Sequence, residues 1–168
     1  MDFEILPYMR VIAVDPGYDK VGVAVLEKEG GKEKLLFSTC LKTNSTETFQ
    51  ERLAQLTSEF RAVAKKWKPD CVAIEKIYFN KNQKTATKVA EAKGAIMEAS
   101  SSLGLKIHEY TPLEIKVAVT GFGQASKKQV EEMVKKLVKL DKKFREDDEY
   151  DAIACGITYL ATYRQLST

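Results

Sequence analysis

Histidine is almost missing from this sequence: His108 is the only one in 168 residues. A metal centre built on several imidazoles is therefore excluded, and so is a nucleophilic triad that needs more than one. His108 itself stands beside Glu109 in an extended run and reads as a packed or surface residue. Cysteine is also scarce. Cys40, Cys71 and Cys155 lie far apart with no CxxC pair, which excludes a zinc framework or a disulfide scaffold and reads as reduced core thiols in a cytoplasmic protein. No apolar run approaches the ~18 residues of a membrane span, so no membrane association is expected. MDFEILPYMR lacks the basic start and apolar centre of a secretion signal. Repeats and low-complexity linkers are absent too. One domain over residues 1–168 is expected, with 1–9 as a flexible N-terminal extension.

What is present is ordinary in bulk and unusual in detail. Hydrophobic residues make up 44% and charged residues 30% of the chain, with a net charge of +3 and a pI near 8.6. Such a mild basic excess permits a nucleic-acid partner. If the acids gather in one place, the 27 Lys and Arg dominate the remaining surface.

The pattern along the chain predicts five strands and five helices. Strands are expected at Arg10–Val14, Val21–Lys28, Lys34–Lys42, Cys71–Ile77 and Lys106–Tyr110, with Gly30-Gly31 turning the first hairpin. Asn44 and Glu47 resemble a helix-start box. Phe49, Leu53, Leu56, Phe60, Val63 and Trp67 then recur at helical spacing up to Pro69. Further helices are expected from Asn82 to Leu103, from Pro112 to the Gly121-Phe122-Gly123 segment, from Ser126 onward, and from the acidic stretch before Tyr150 towards the C-terminus. The order β-β-β-α-β-α-β-α-α-α predicts an α/β fold: a five-stranded mixed sheet with helices on both faces.

Four acids interrupt this apolar framework. Asp15 follows the run VIAV, and Glu75 follows CVAI. Asp148 and Asp151 are three apart at the start of the last helix and share a face. A carboxylate among Val, Ile and Ala is costly to bury without a positive partner. A crossover between the first and fourth strands lets them lie side by side, so that Asp15 and Glu75 come to neighbouring strand ends, where ligands bind in such sheets. All-oxygen ligation suits Mg²⁺, with Mn²⁺ as a substitute. Two such ions about 3.5–4 Å apart activate a water and stabilise the leaving oxygen of a phosphodiester.

Four segments, taken in order, carry a resemblance. VIAVDPGYDKVGVAV, VAIEKIYFNKNQKTATKVAEAKGAI, EYTPLEIKVAVTGFGQASKKQV and DDEYDAIACGITY resemble the RuvC family of Holliday-junction resolvases over nearly the whole chain. The resemblance implies a ribonuclease H-like fold and a homodimer. It implies Mg²⁺-dependent hydrolysis with two ions per site, giving 5′-phosphate and 3′-hydroxyl ends by paired, symmetric nicks. Its implied partners are four-way junction DNA, a second copy of the chain and a branch-migration motor. Asp15, Glu75, Asp148 and Asp151 become the catalytic metal ligands, and Lys127 a catalytic lysine that binds the scissile phosphate or offsets transition-state charge. Lys116, Lys127 and Lys128 fall among the expected DNA contacts, with Lys81 and Lys84. Tyr78, followed by Phe79, stands where many members carry a Phe that inserts at the junction.

Three rival readings remain. An RNA-processing nuclease of the related YqgF type would share the acids. An actin- or sugar-kinase-like phosphate-binding domain would share D-P-G-x₄-G, but needs a second lobe. A junction-binding protein without activity would not need all four acids.

Overall fold

The structure, a computed structural model, describes residues 8–78, 83–141 and 145–163. Its elements follow the expected order: β1 (Met9–Asp15), β2 (Lys20–Glu29), β3 (Lys32–Lys42), α1 (Phe49–Trp67), β4 (Cys71–Glu75), α2 (Gln83–Ser102), β5 (Lys106–Tyr110), α3 (Pro112–Thr120), α4 (Lys127–Leu137) and α5 (Asp147–Thr162). The sheet runs β3-β2-β1-β4-β5. β1–β2 and β2–β3 are antiparallel, whereas β1–β4 and β4–β5 are parallel. The mixed sheet is thus a meander extended by two crossovers.

Helices cover both faces, which explains why the central strands read as unbroken apolar runs. Side chains alternate across a strand. On one face Val11, Ala13, Ala24, Leu26, Cys71 and Ala73 pack under α3, α4 and α5. On the other, Ile12, Val14, Val23, Val25, Val72 and Ile74 pack under α1 and α2, against Leu56, Phe60, Ala92 and Ile96. Burying each of the larger side chains contributes about 1.5–3 kcal/mol. The α1 stripe is centred on Arg52, Leu56, Phe60 and Ala64. Arg52 is admitted because its guanidinium bonds Thr43 and Asp19 and lies over the Tyr18 ring.

Two boundaries differ from expectation. α1 is capped by Thr48 and Glu51, not by Asn44 and Glu47. The Asn44 side chain is engaged locally, accepting from the Thr46 N–H and hydroxyl, a turn that competes with helix. β4 stops at Glu75, two residues before Ile77. Lys76 N–H makes the last bond to Tyr110 O, and Thr111 then caps α3, so nothing remains for Ile77 to pair with. The extension expected over 1–9 gives up Met9 to β1, and residues 1–7 lie outside the described residues. Among the described residues, no helix is long and apolar enough to cross a membrane.

Two glycines let α5 sit close on the sheet. A Cβ at Gly22 of β2 would run into the Asp148 carbonyl, and one at Gly156 would run into Leu26 and Ala13. The start of α5 is fixed by a buried polar group as well. Ser38 of β3 donates to Glu149 Oε1 at 2.8 Å and accepts from Arg145 Nε at 2.9 Å, while Glu149 Oε2 accepts the Glu146 N–H at 3.1 Å.

Candidate active site

Strand parity decides where the first two acids point. Val11, Ala13 and Asp15 face the α5 side, as do Cys71, Ala73 and Glu75. The parallel register pairs Ala13 with Ala73 and Val14 with Ile74, so Asp15 and Glu75 come next on adjacent strands. α5 crosses over these ends and adds Asp151. Asp15, Glu75 and Asp151 line one cavity of about 280 Å³, together with Lys116 of α3, Lys127 of α4 and the apolar walls Pro112, Ile115, Val130 and Ala154.

The electrostatics of this cavity are those of confined like charge. Burial, then Asp151, Glu75 and Asp148, pushes the Asp15 carboxyl up to about 8. Burial and Asp151 push Glu75 up to about 7, moderated by a hydrogen bond from Asp15. Asp151 is also raised, chiefly by burial, with Lys127 opposing. Lys127 Nζ lies 3.2 Å from Asp151 Oδ2 and 3.6 Å from Asp147 Oδ2. Burial lowers the Lys127 pKa, but these acids outweigh it and hold the ammonium above its ordinary value. Cys155, one turn beyond Asp151, is wholly buried and its thiol is held neutral.

Asp148 is not in that cavity. It lines a neighbouring one with Lys20, Lys42, Arg145 and Glu146, and its Oδ2 faces the Cys40 thiol at 4.0 Å. Cys40, Glu146 and Asp148 bring one ligand atom each within 4.8 Å of one another. This group is compact, yet it fits a hard cation poorly. Glu146 is already paired with Lys20 and Lys42, and burial and Asp148 push the Cys40 thiol up to about 12, so it stays protonated. The Asp15–Glu75–Asp151 set has only oxygen donors and excess negative charge, and it fits Mg²⁺ or Mn²⁺ better.

The expected DNA contacts divide. Lys116 and Lys127 reach the acid cavity. Lys84 and Lys128 are exposed, and Lys128 sits in the first turn of α4. The Tyr78 ring is 58% exposed, just beyond the Glu75 strand. Phe79 and Lys81 lie outside the described residues. Two further lysines of α2 are engaged within the protein: Lys93 is turned onto Glu109 at 2.5 Å with little exposure, and the exposed Lys88 lies over the Tyr18 ring. His108 packs against Tyr159, the ring centres 4.9 Å apart and the planes tilted by 51°. Sequence reasoning missed the Ser38–Glu149–Arg145 group and the Cys40–Asp148 contact. Both join residues more than 100 positions apart, and neither leaves a local signal.

Comparison with known proteins shows the family. The model of the family described as crossover junction endodeoxyribonuclease RuvC matches residues 11–159. The chain belongs to the RuvC family. RuvC of Thermosipho melanesiensis is 42% identical over 146 residues, 87% of this chain and 93% of that protein. RuvC of Halothermothrix orenii is 42% identical over 156 residues, 93% of this chain and 94% of that one. Thermus thermophilus RuvC, solved in complex with a Holliday junction substrate, superposes with a TM-score of 0.85 at 31% identity, covering 90% of this chain and 93% of that one. The ribonuclease H-like fold expected of RuvC is therefore the fold observed.

Proposed function

We propose that this RuvC family nuclease resolves four-way DNA junctions, and that Asp15, Glu75 and Asp151 hold its divalent ions. The observation that carries the reading is the shared cavity of these three half-buried acids with Lys116 and Lys127 at the C-terminal ends of β1 and β4. Bound Mg²⁺, or Mn²⁺ in its place, would activate water and stabilise the leaving 3′ oxygen of a phosphodiester, leaving a 5′ phosphate. Asp15, whose carboxyl is raised by both Asp151 and Glu75, would be the ligand that the two ions share. Asp148, close enough to raise the Asp15 pKa, completes the acidic set on a change of rotamer away from Cys40. Lys127 and Lys116 orient the phosphate and offset charge that develops on it. The first-turn N–H groups of α4 favour the same anion. Lys84 and Lys128 add backbone contacts, and Tyr78 offers a stacking face at the branch. Each chain carries one such cavity, so paired symmetric cuts require two copies related by a two-fold axis.

The test is incubation with a labelled four-way junction, a matched linear duplex and a structured RNA, in Mg²⁺, in Mn²⁺ and in EDTA. Metal-dependent paired nicks on the junction alone are expected, with Asp15→Asn binding the junction but not cutting it. Cutting by Asp15→Asn at the wild-type rate would sink the metal-site assignment. Preference for the RNA would move the substrate class to that of the YqgF relatives.

A further inference from the structure

The loop that joins the two basic walls of the acid cavity carries an exposed ring that the reading above leaves without work. α3 contributes Pro112, Ile115 and Lys116 to the cavity, and α4 contributes Lys127 and Val130. Between them, Phe122 is 56% exposed. Leu113 and Val117, one turn apart on the next face of α3, are 60% and 48% exposed. The three belong together. A Cβ on Gly123 would lie 2.6 Å from Leu113 Cδ1 and 3.5 Å from Val117 Cγ2, so the turn is laid directly on these side chains.

The ring is presented on a fixed backbone. Gly121 ends α3 at φ 76°, its N–H bonded to Val117 O at 2.8 Å. Phe122 N–H donates to Thr120 Oγ1 at 3.1 Å, and that hydroxyl bonds Lys116 O at 2.7 Å. Phe122 O accepts the Ala125 N–H at 3.1 Å. Hydrogen bonds on both sides pin the turn, so an outward ring loses little entropy on contact with a ligand.

We infer that Phe122, backed by Leu113 and Val117, is a platform for a nucleobase of the strand whose phosphate enters the acid cavity. The inference rests on the proposed function, since it takes DNA as the ligand of that cavity. Three observations favour a base over a protein partner. Leu113 and Val117 each directly follow a cavity-lining residue of α3, Pro112 and Lys116. Along the chain Val117 and Phe122 are bracketed by Lys116 on one side and by Lys127 and Lys128 on the other, cations that a backbone would follow. And three side chains present far less than the roughly 800 Å² per partner of a stable protein interface. An aromatic face on a basic groove suits stacking that tolerates any base.

The experiment compares wild type with Phe122→Ala in single-turnover cleavage of junctions with one abasic site, moved through the nucleotides flanking each scissile phosphate. Phe122→Ala should cut the intact junction about ten-fold more slowly, the size of one lost base–aromatic stack, with its melting temperature and oligomeric state unchanged. One abasic position should slow wild type by the same factor and the variant no further. The inference is overturned if Phe122→Ala cuts as fast as wild type, if every abasic position slows both proteins equally, or if the variant changes oligomeric state, which would make the patch a subunit contact. Wild type that cuts no junction would overturn the proposed function, and this inference with it.

Discussion

Lys127 Nζ stands 3.2 Å from Asp151 Oδ2, joining the first turn of α4 to the second turn of α5 across the rim of the acid cavity. Without a bound cation, this ammonium is the nearest compensation for three crowded carboxylates. Divalent ions held by these acids would give Asp151 a stronger partner and free Lys127 for a phosphate.

Lys127→Ala should therefore separate chemistry from binding. Single-turnover cleavage is expected to fall by about 10²–10³, the usual loss when one preorganised charge facing the transition state is removed. Junction affinity should change by only a few-fold, because one phosphate contact among several is lost. Mg²⁺ affinity should not fall, since the variant leaves the acids more negative. Titration of binding and cleavage on the same junction checks this. Parallel losses in both would reduce Lys127 to an ordinary backbone contact.

The acids also predict how stability depends on pH. An acid whose pKa is raised by folding contributes its full stability below the unfolded value, near 4. That contribution is lost as pH rises through about 7 for Glu75 and about 8 for Asp15. Metal-free protein should thus melt at a lower temperature at pH 8.5 than at pH 6. Divalent ions need the ionised forms, so Mg²⁺ should raise the melting temperature more at pH 8.5. A difference of about 3 °C between the two increments corresponds to ~1 kcal/mol in a chain of this size. Thermal melts with Mg²⁺ and with EDTA at both pH values decide it, and equal increments would mean that ion binding is not coupled to these carboxyls.

Much of this site was legible because a carboxylate in an apolar strand conflicts with its surroundings. Asp15 and Glu75 each end a run of Val, Ile and Ala, and period-two alternation with a parallel crossover suffices to put them on one face. The fold was legible for a related reason: strands covered on both faces are apolar throughout, and the starts of α3 and α4 carry their own caps, Thr111 and Ser126. What was not legible depends on register between distant segments. Asp148 and Asp151 share a helix face in sequence, yet Asp148 meets Cys40 because β3 passes beside it. The position of Cys40 follows from the β2–β3 pairing, which shifts register between Val25 and Leu26. The exposure of Phe122 was equally hidden, because a phenylalanine between two glycines gives no sign of which way its ring turns.

The group that seats α5 is the place where fold and site depend on one another most directly. Glu149 is buried, bonded to Ser38, and caps the helix through the Glu146 N–H. Arg145, also buried, bonds the same Ser38 hydroxyl. Glu149→Ala would remove the acceptor of the Ser38 hydroxyl and uncap the Glu146 N–H, a combination that costs about 2–4 kcal/mol. At about 2–4 °C per kcal/mol for a chain of this length, the melting temperature should drop by roughly 10 °C. Glu149→Gln keeps the shape and one acceptor and should lose less. Because Asp148 and Asp151 ride on the same first turns, cleavage by Glu149→Ala should also fall at temperatures where the variant is fully folded by circular dichroism. A melting temperature within 2 °C of wild type would show that the Gly22 and Gly156 contacts alone hold α5 in place.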